Sequence, residues 1–362
     1  MLAKSHSQFC SHLRNPNFAC SSCLDICKAN AIKKISNEWS ISEDCTGCTK
    51  CTLVCPGFVF EPDWSPQELQ DKVKYIRQEI VIGCTRESEK ANLSISCLNL
   101  VRAEVYIWLH FITNKKIQVS LNYCNECTMN SKELIQVEIG KANDFIQWYN
   151  KNDEKMILHS NNSVTSQASY QRRDLFSMIS KRSIFEVVKV FHQELKPLIG
   201  DDLGESHDIK ESIDMPVERV LLFKALKDMN KFNEEGKSDN NSYNQSVIMN
   251  WNVQDVCDTC YVCSSVCPFS AWRIEEIEDI RLLSYNMTRC VGCGLCRQSC
   301  PKGAIETADI NANDLQTQKW DIKREIVIQY CVSCGKEIEV YHKSEKCMVC
   351  DKRHELLSIF ID

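Results

Sequence analysis

Glycine and proline are scarce in this sequence, 11 and 8 among 362 residues. Neither GxGxxG nor GxxxxGK[ST] occurs among so few glycines, which removes the familiar nucleotide and dinucleotide phosphate loops. HExxH and GxSxG are absent as well, so zinc-protease and serine-hydrolase chemistry has no signature here. The longest uncharged apolar run, residues 105–112, is interrupted by His110 and is far short of the ~20 residues that span a bilayer. The opening MLAKSHSQFC has no signal-peptide stretch, so the expectation is a cytoplasmic protein without membrane insertion. Positive charge is not in excess either: the formal charge of −6 argues against a nucleic-acid partner. With 43% apolar and 25% charged residues the chain is ordinary globular material, and its length implies two or three domains.

What the sequence has in abundance is cysteine, 24 residues. At that density cysteines are disulfides in an oxidising compartment or metal ligands in a reducing one, and the missing export signal favours metal. They divide into six sets of four with none left over: Cys10, Cys20, Cys23 and Cys27; Cys45, Cys48, Cys51 and Cys55; Cys84, Cys97, Cys124 and Cys127; Cys257, Cys260, Cys263 and Cys267; Cys290, Cys293, Cys296 and Cys300; and Cys331, Cys334, Cys347 and Cys350. Four-coordinate sites need ligands in fours.

Three blocks, at 45–56, 257–268 and 290–301, share the spacing C-x2-C-x2-C-x3-C-P. A thiolate every third residue wraps a tight loop around one face of a cubane, while the fourth cysteine, expected to open a helix, points to a different cluster; such motifs work in pairs. Residues 257–305 resemble a bacterial-type ferredoxin domain with two [4Fe-4S] clusters. The resemblance implies that Cys257, Cys260, Cys263 and Cys300 hold one cluster and Cys290, Cys293, Cys296 and Cys267 the other. Gly47 and Gly292, inside CTGC and CVGC, are small enough to let backbone amides approach the sulfurs.

The N-terminal pair is similar to the same domain with two departures. Nine residues, SHLRNPNFA, separate Cys10 from Cys20, and Lys28 stands where proline usually follows the fourth cysteine. CKANAI nevertheless mirrors CPKGAI. The resemblance then implies a cluster on Cys10, Cys20, Cys23 and Cys55 and another on Cys45, Cys48, Cys51 and Cys27. His6 and His12 are near enough to compete with Cys10, the alternative being ordinary surface histidines. Four clusters and one zinc, with their thiolates, would bring the net charge to roughly −16.

Cys331 to Cys350 form two C-x2-C knuckles around a strand-like EIEVYH, the pattern of a closed, structural four-cysteine zinc ribbon. Between the ferredoxin-like parts the chain alternates strands and helices. Ser65, Pro66 and Glu68 make a capping box that predicts a helix over about 66–78. EIVIG, LSIS, KIQVSLNY and KMILHS read as strands; LNLVRAEVYIWLHFI and residues 131–149, capped by Asn130 with Glu133, read as helices. Three of the four middle cysteines then fall at the carboxyl ends of parallel strands, where open α/β sheets bind ligands. Cys84, Cys97, Cys124 and Cys127 are therefore a candidate fifth metal site, [2Fe-2S] or a second zinc, with buried or redox-active thiols as the alternative. The middle resembles loosely the cysteine-rich iron-sulfur subunit associated with some hydrogenases and heterodisulfide reductases.

The expected fold class is α+β: dicluster domains at 1–62 and 251–312 flank a small α/β domain at 63–160 and a helical linker region at 161–250, with a zinc-ribbon-like segment at 313–362. Within the linker, 161–170 reads as flexible connection, Arg172 and Arg173 open a helix, and MPVERVLLFKALKDMNKF packs between the ferredoxin-like parts. The resemblance to polyferredoxin-type proteins implies a non-enzymatic electron carrier serving a hydrogenase, formate dehydrogenase or reductase. Two other readings stand beside it: a thiol active site at Cys124 and Cys127, and a zinc-rich interaction scaffold.

Overall fold

The computed structural model describes residues 5–87, 90–129, 131–150, 157–160, 215–230, 243, 247–312, 315, 319–338 and 345–352. The predicted linker at 161–170 and the arginine pair at 172–173 lie outside them.

The first ferredoxin-like part contains α1 (Ser11–Arg14), α2 (Ser22–Ile26), the hairpin β1 (Ile32–Ile35) and β2 (Glu38–Ile41), and α3 (Lys50–Val54). Ile32 faces Ile41 across the hairpin, and Ile32 and Trp39 bury against Phe9, Val59 and Phe60. Helices this short owe little to propensity and depend on their ends. Here the expectation about the fourth cysteine is corrected: Cys27 and Cys55 end α2 and α3 instead of opening helices, both with extended backbone (φ −82, ψ 90 and φ −74, ψ 112). Proline after Cys55 disfavours helical backbone at the residue before it, which stops the helix there; Cys27 adopts the same geometry before Lys28.

The middle part comprises α4 (Pro66–Lys74), β3 (Ile80–Cys84), β4 (Leu93–Ile95), α5 (Ala103–Thr113), β5 (Ile117–Ser120), α6 (Lys132–Tyr149) and β6 (Ile157–Ser160). The strands form one sheet in the order β4-β3-β5-β6, parallel at every pairing. Ser65 Oγ accepts from the Glu68 amide at 3.1 Å, as the capping box requires. The helix stops at Lys74, short of 78, because its last turn tightens into bonds from Tyr75 to Lys72 and Ile76 to Val73. The second helix starts at 103, not 98: Arg102 takes extended backbone, and its guanidinium donates to Thr52 O and Cys55 O in the first part. Ser131, at the N-terminus of α6, makes no side-chain cap; its hydroxyl donates to Met129 O and accepts from Asn99. Asn130, the predicted cap, lies outside the described residues.

Every residue of α5 from Ala103 to Phe111 is buried, as befits a helix apolar all round. One of its covers is α7 (Val217–Asn230). That helix lies on the middle domain, and one residue also reaches the second ferredoxin-like part: Arg219, fully buried, donates to Val247 O (2.8 Å) and Cys290 O (2.6 Å). Its charge is matched by Glu104 at 3.8 Å. Tyr243 is buried and stacks on Trp148 at 4.8 Å.

The second ferredoxin-like part holds β7 (Trp251–Val253), α8 (Val262–Val266), the hairpin β8 (Trp272–Ile277) and β9 (Ile280–Tyr285), α9 (Leu295–Ser299) and β10 (Ile305–Thr307), which pairs with β7. Cys267 and Cys300 end α8 and α9 in extended backbone, repeating the correction. β11 (Asp321–Val327) adds to β9 antiparallel, so the strand leading to the last four cysteines joins the sheet of this part. β12 (Gln329–Tyr330) and β13 (Glu337–Ile338) form the strand pair beside those cysteines.

Candidate metal centres

The cysteines of each ferredoxin-like part gather in crossed sets. Burial, then the thiols of Cys257, Cys260 and Cys300, push Cys263 up to about 12. Burial, then Cys290 and Cys267, push Cys293 up to about 12, and Cys296 rises with the same neighbours around it. In the first part Cys23 is raised to about 12 by burial and by Cys55, Cys10 and Cys20. Cys51 is raised to about 11 by burial and by Cys48, with Cys45 and Cys27 adding to it. Each three-cysteine loop thus meets the fourth cysteine of the other motif. Cys10, Cys20, Cys23 and Cys55 line one pocket; Cys27, Cys45, Cys48 and Cys51 line a second cavity of about 230 Å³, where Thr128 and Met129 of the middle part also reach. A thiol among thiols in low dielectric resists ionisation, and a bound cation reverses that preference.

The histidines near Cys10 are engaged elsewhere: His6 pairs with Glu61, and His12 Nδ1 donates to Phe18 O at 3.0 Å. Trp39 Nε1 donates to Cys10 Sγ at 3.1 Å. Backbone amides serve the other sulfurs. Gly292 N reaches Cys290 Sγ (3.3 Å) and Thr259 N reaches Cys257 Sγ (3.4 Å). Both donors have positive φ, 70 and 57, so small size is only part of what glycine contributes at 292; it also avoids the strain that Thr259 carries.

A second recurrence escaped the sequence reading. Three residues after every fourth cysteine the backbone turns left-handed, at Asn30, Phe58, Ser270 and Gly303. The next amide then folds back onto the sulfur in three cases: Val59 N to Cys55 (3.5 Å), Ala271 N to Cys267 (3.3 Å) and Ala304 N to Cys300 (3.4 Å). Superimposing the four C-x3 segments would have shown Asn and Gly at this position, but Phe and Ser conceal the pattern.

The last four cysteines are arranged differently. The sulfurs of Cys331, Cys334, Cys347 and Cys350 all lie within 4.8 Å of one another, with Cys334 and Cys347 3.7 Å apart. Tetrahedral zinc with bonds of about 2.3 Å places its sulfurs about 3.8 Å apart. Backbone amides, Cys347 first, draw Cys331 down to about 6, while hydrogen bonding with Cys334 and Cys347 holds Cys350 up at about 12. Among the described residues no other group of three or more histidine, cysteine or acidic side chains closes to this span.

The middle cysteines converge without closing. Cys84 ends β3, Cys97 follows β4, and Cys124 follows β5 in a 3₁₀ turn, so three adjacent parallel strands deliver them to one sheet edge. Arg86, bonded to Tyr123 Oη at 2.9 Å, faces Cys127 and Cys84; buried Tyr106 has Cys124 and Cys97 beside it. No three of these four sulfurs come within 4.8 Å of one another. Asn99 Nδ2 donates to Cys48 O at 2.8 Å, tying this edge to the first part.

Residues 256–305 match the 4Fe-4S dicluster domain, so the chain carries a ferredoxin-type iron-sulfur domain over its second group of motifs. Over 56 residues it is 36% identical to NADH-quinone oxidoreductase subunit I 2 of Geobacter metallireducens, a match covering 14% of this chain and 43% of that relative. The chain thus spans less than half the length of that protein. No helix among the described residues is long and apolar enough to cross a membrane.

Proposed function

We propose that the protein is an iron-sulfur electron-transfer protein with four [4Fe-4S] clusters, held by Cys257/Cys260/Cys263/Cys300, Cys267/Cys290/Cys293/Cys296, Cys10/Cys20/Cys23/Cys55 and Cys27/Cys45/Cys48/Cys51. The observation that carries this reading is the crossed grouping in both parts, because zinc knuckles have no need of it. When bound, the clusters supply one-electron chemistry at potentials tuned by hydrogen bonds and burial. The protein's residues do the tuning: the amides after Cys257, Cys290, Cys55, Cys267 and Cys300 and the Trp39 indole all donate to sulfur, which favours the more negative, reduced state.

Cys331, Cys334, Cys347 and Cys350 hold a structural zinc, with no position open to substrate. For Cys84, Cys97, Cys124 and Cys127, three of which follow adjacent parallel strands at one sheet edge, a [2Fe-2S] cluster and a second zinc are the two groups a four-cysteine donor set suits. The partner is a redox enzyme, in keeping with the NADH-quinone oxidoreductase subunit among the relatives, and the chain acts as carrier or electron-transfer subunit.

Iron, acid-labile sulfide and zinc per chain, measured on anaerobically purified protein, test this directly. About 16 iron with one zinc is expected from the four cubanes and the ribbon, and about 18 with the binuclear site. Little iron with several zinc ions would overturn the reading in favour of the scaffold.

A further inference from the structure

The stretch that separates the first motif from ordinary ferredoxin spacing is 11–19, between Cys10 and Cys20, and its side chains are spent on the other ferredoxin-like part. Arg14 Nε donates to Val266 O (2.7 Å) and its Nη2 to Ser265 O (2.8 Å), two carbonyls at the end of α8. Asn15 Nδ2 donates to Ser299 Oγ (2.7 Å), the last residue of α9. The last carbonyls of a helix have no partner within it and carry partial negative charge, so a guanidinium is a fitting clamp. Val266 and Ser299 immediately precede the crossing ligands Cys267 and Cys300.

On its outer side the clamp is open, Arg14, Ser265 and Val266 lining a solvent-facing cavity with Ser5, Ser7 and Glu38; on its inner side lies apolar packing. Phe9 packs against Phe269, ring centroids 4.8 Å apart and planes tilted by 36°. Phe9, Cys10, Cys55 and Phe269 belong to one buried cluster, against which Cys23, Cys267 and Val291 pack. Ser11, 3% exposed, faces Cys293. The insertion therefore lies where Cys10, Cys23 and Cys55 of one set and Cys267 of the other pack on the same apolar cluster.

We propose that the 11–19 insertion is a splice joining the two dicluster parts into a single electron relay of fixed order, with Arg14 and Asn15 as its positioning residues. The order runs from Cys257/Cys260/Cys263/Cys300 through Cys267/Cys290/Cys293/Cys296 and Cys10/Cys20/Cys23/Cys55 to Cys27/Cys45/Cys48/Cys51. That last cavity is the one Thr128 and Met129 line, so the relay ends against the middle domain. The other end is solvent-facing: Cys260 is the only exposed cysteine among the sixteen. The proposal rests on the four-cluster reading above.

The test uses the full chain as wild type, as the double variant Arg14→Ala/Asn15→Ala, and as Arg14→Lys. Iron per chain is measured first, then the magnetic broadening between reduced clusters by electron paramagnetic resonance. Coupling inside each ferredoxin-like part is common to all three proteins, so the differences between spectra read the contact across the splice. The double variant is expected to keep its iron and lose the interdomain component. Arg14→Lys, which keeps the charge without the two-pronged geometry, should recover only part of it. Unchanged broadening in a fully loaded double variant would overturn the splice, as would the absence of an interdomain component in fully loaded wild type. Should the double variant lose iron, Asn15→Ala alone, which removes one hydrogen bond, reads the same quantity, and an unchanged spectrum there with full iron would again overturn it. A wild-type chain that never binds about 16 iron defeats the four-cluster reading instead.

Discussion

The two ferredoxin-like parts reach the same crossed arrangement of cysteines by different means. The second has glycine at three of its left-handed loop positions, Gly292, Gly294 and Gly303, and proline after both fourth cysteines. The first has an insertion, a lysine in place of one proline and only one such glycine, Gly47. What it lacks in local preference it recovers from neighbours: Arg102 of the middle part donates to Thr52 O and Cys55 O and lies 4.0 Å over the Phe58 ring, and Asn99 holds Cys48 O. A loop geometry can therefore be written into its own residues or imposed by packing, and only the first kind matches a family pattern along the sequence.

The largest effects should come from the crossing cysteines. Cys300→Ser is expected to cost the set of Cys257, Cys260 and Cys263 its cluster, and Cys55→Ser that of Cys10, Cys20 and Cys23, each about four iron per chain by metal analysis. Loss of iron at the neighbouring three-cysteine loop instead would break the crossed assignment.

Next comes the pair of arginines that tie each part to the middle. Arg219→Ala leaves the buried carbonyls of Val247 and Cys290 without their donor and should cost about 1–3 kcal/mol in anaerobic denaturant unfolding. Arg102→Ala leaves buried carbonyls without a donor, an expected loss of about 1–3 kcal/mol. If the first part relies on its neighbours as described, Arg102→Ala will lower the iron held by Cys10/Cys20/Cys23/Cys55 more than it lowers the iron of the second part.

Of similar size is the effect of Glu218, 3% exposed, whose carboxyl burial raises to about 7 from an ordinary value near 4.5, partly opposed by Arg102. The folded protein holds this proton more tightly than the unfolded chain, so its contribution to stability is complete below pH 4.5 and is lost as pH rises toward 7. Glu218→Gln should flatten stability over that window, measured by thermal midpoints at several pH values. The smallest difference is local: Asn30 and Gly303 occupy equivalent left-handed positions, φ 49 and 61. Asn30→Gly should stabilise the first part by less than about 1 kcal/mol, and Gly303→Ala should destabilise the second by about 1 kcal/mol.

Strand and helix types in the middle domain were legible because their periods are clean, and the parallel sheet followed from their alternation. Their ends were not: Arg102 leaves the helical pattern to bond carbonyls about fifty residues earlier in the chain, and no local signal announces that. The cysteine motifs stood out through spacing, and Cys10 lines one pocket with Cys20, Cys23 and Cys55 despite its insertion; their roles as ligands belong to the proposal above. The direction of the short helices relative to the fourth cysteine was misread, since the proline that follows acts backward on the residue before it. Arg14 and Asn15 looked like spacer because their partners lie 252 and 284 residues away.

The cysteine that closes each short helix has a consequence for assembly. One end of α3 carries Cys51 and the other Cys55, and these belong to different sets, so in the four-cluster reading proposed above the helix is a strut between two inorganic sites. Inserting either cluster orders the strut and presents a ligand for the other, and removing either one slackens both. Maturation of such a domain should proceed in cooperative pairs, with half-loaded forms short-lived and their spare thiols open to oxidation.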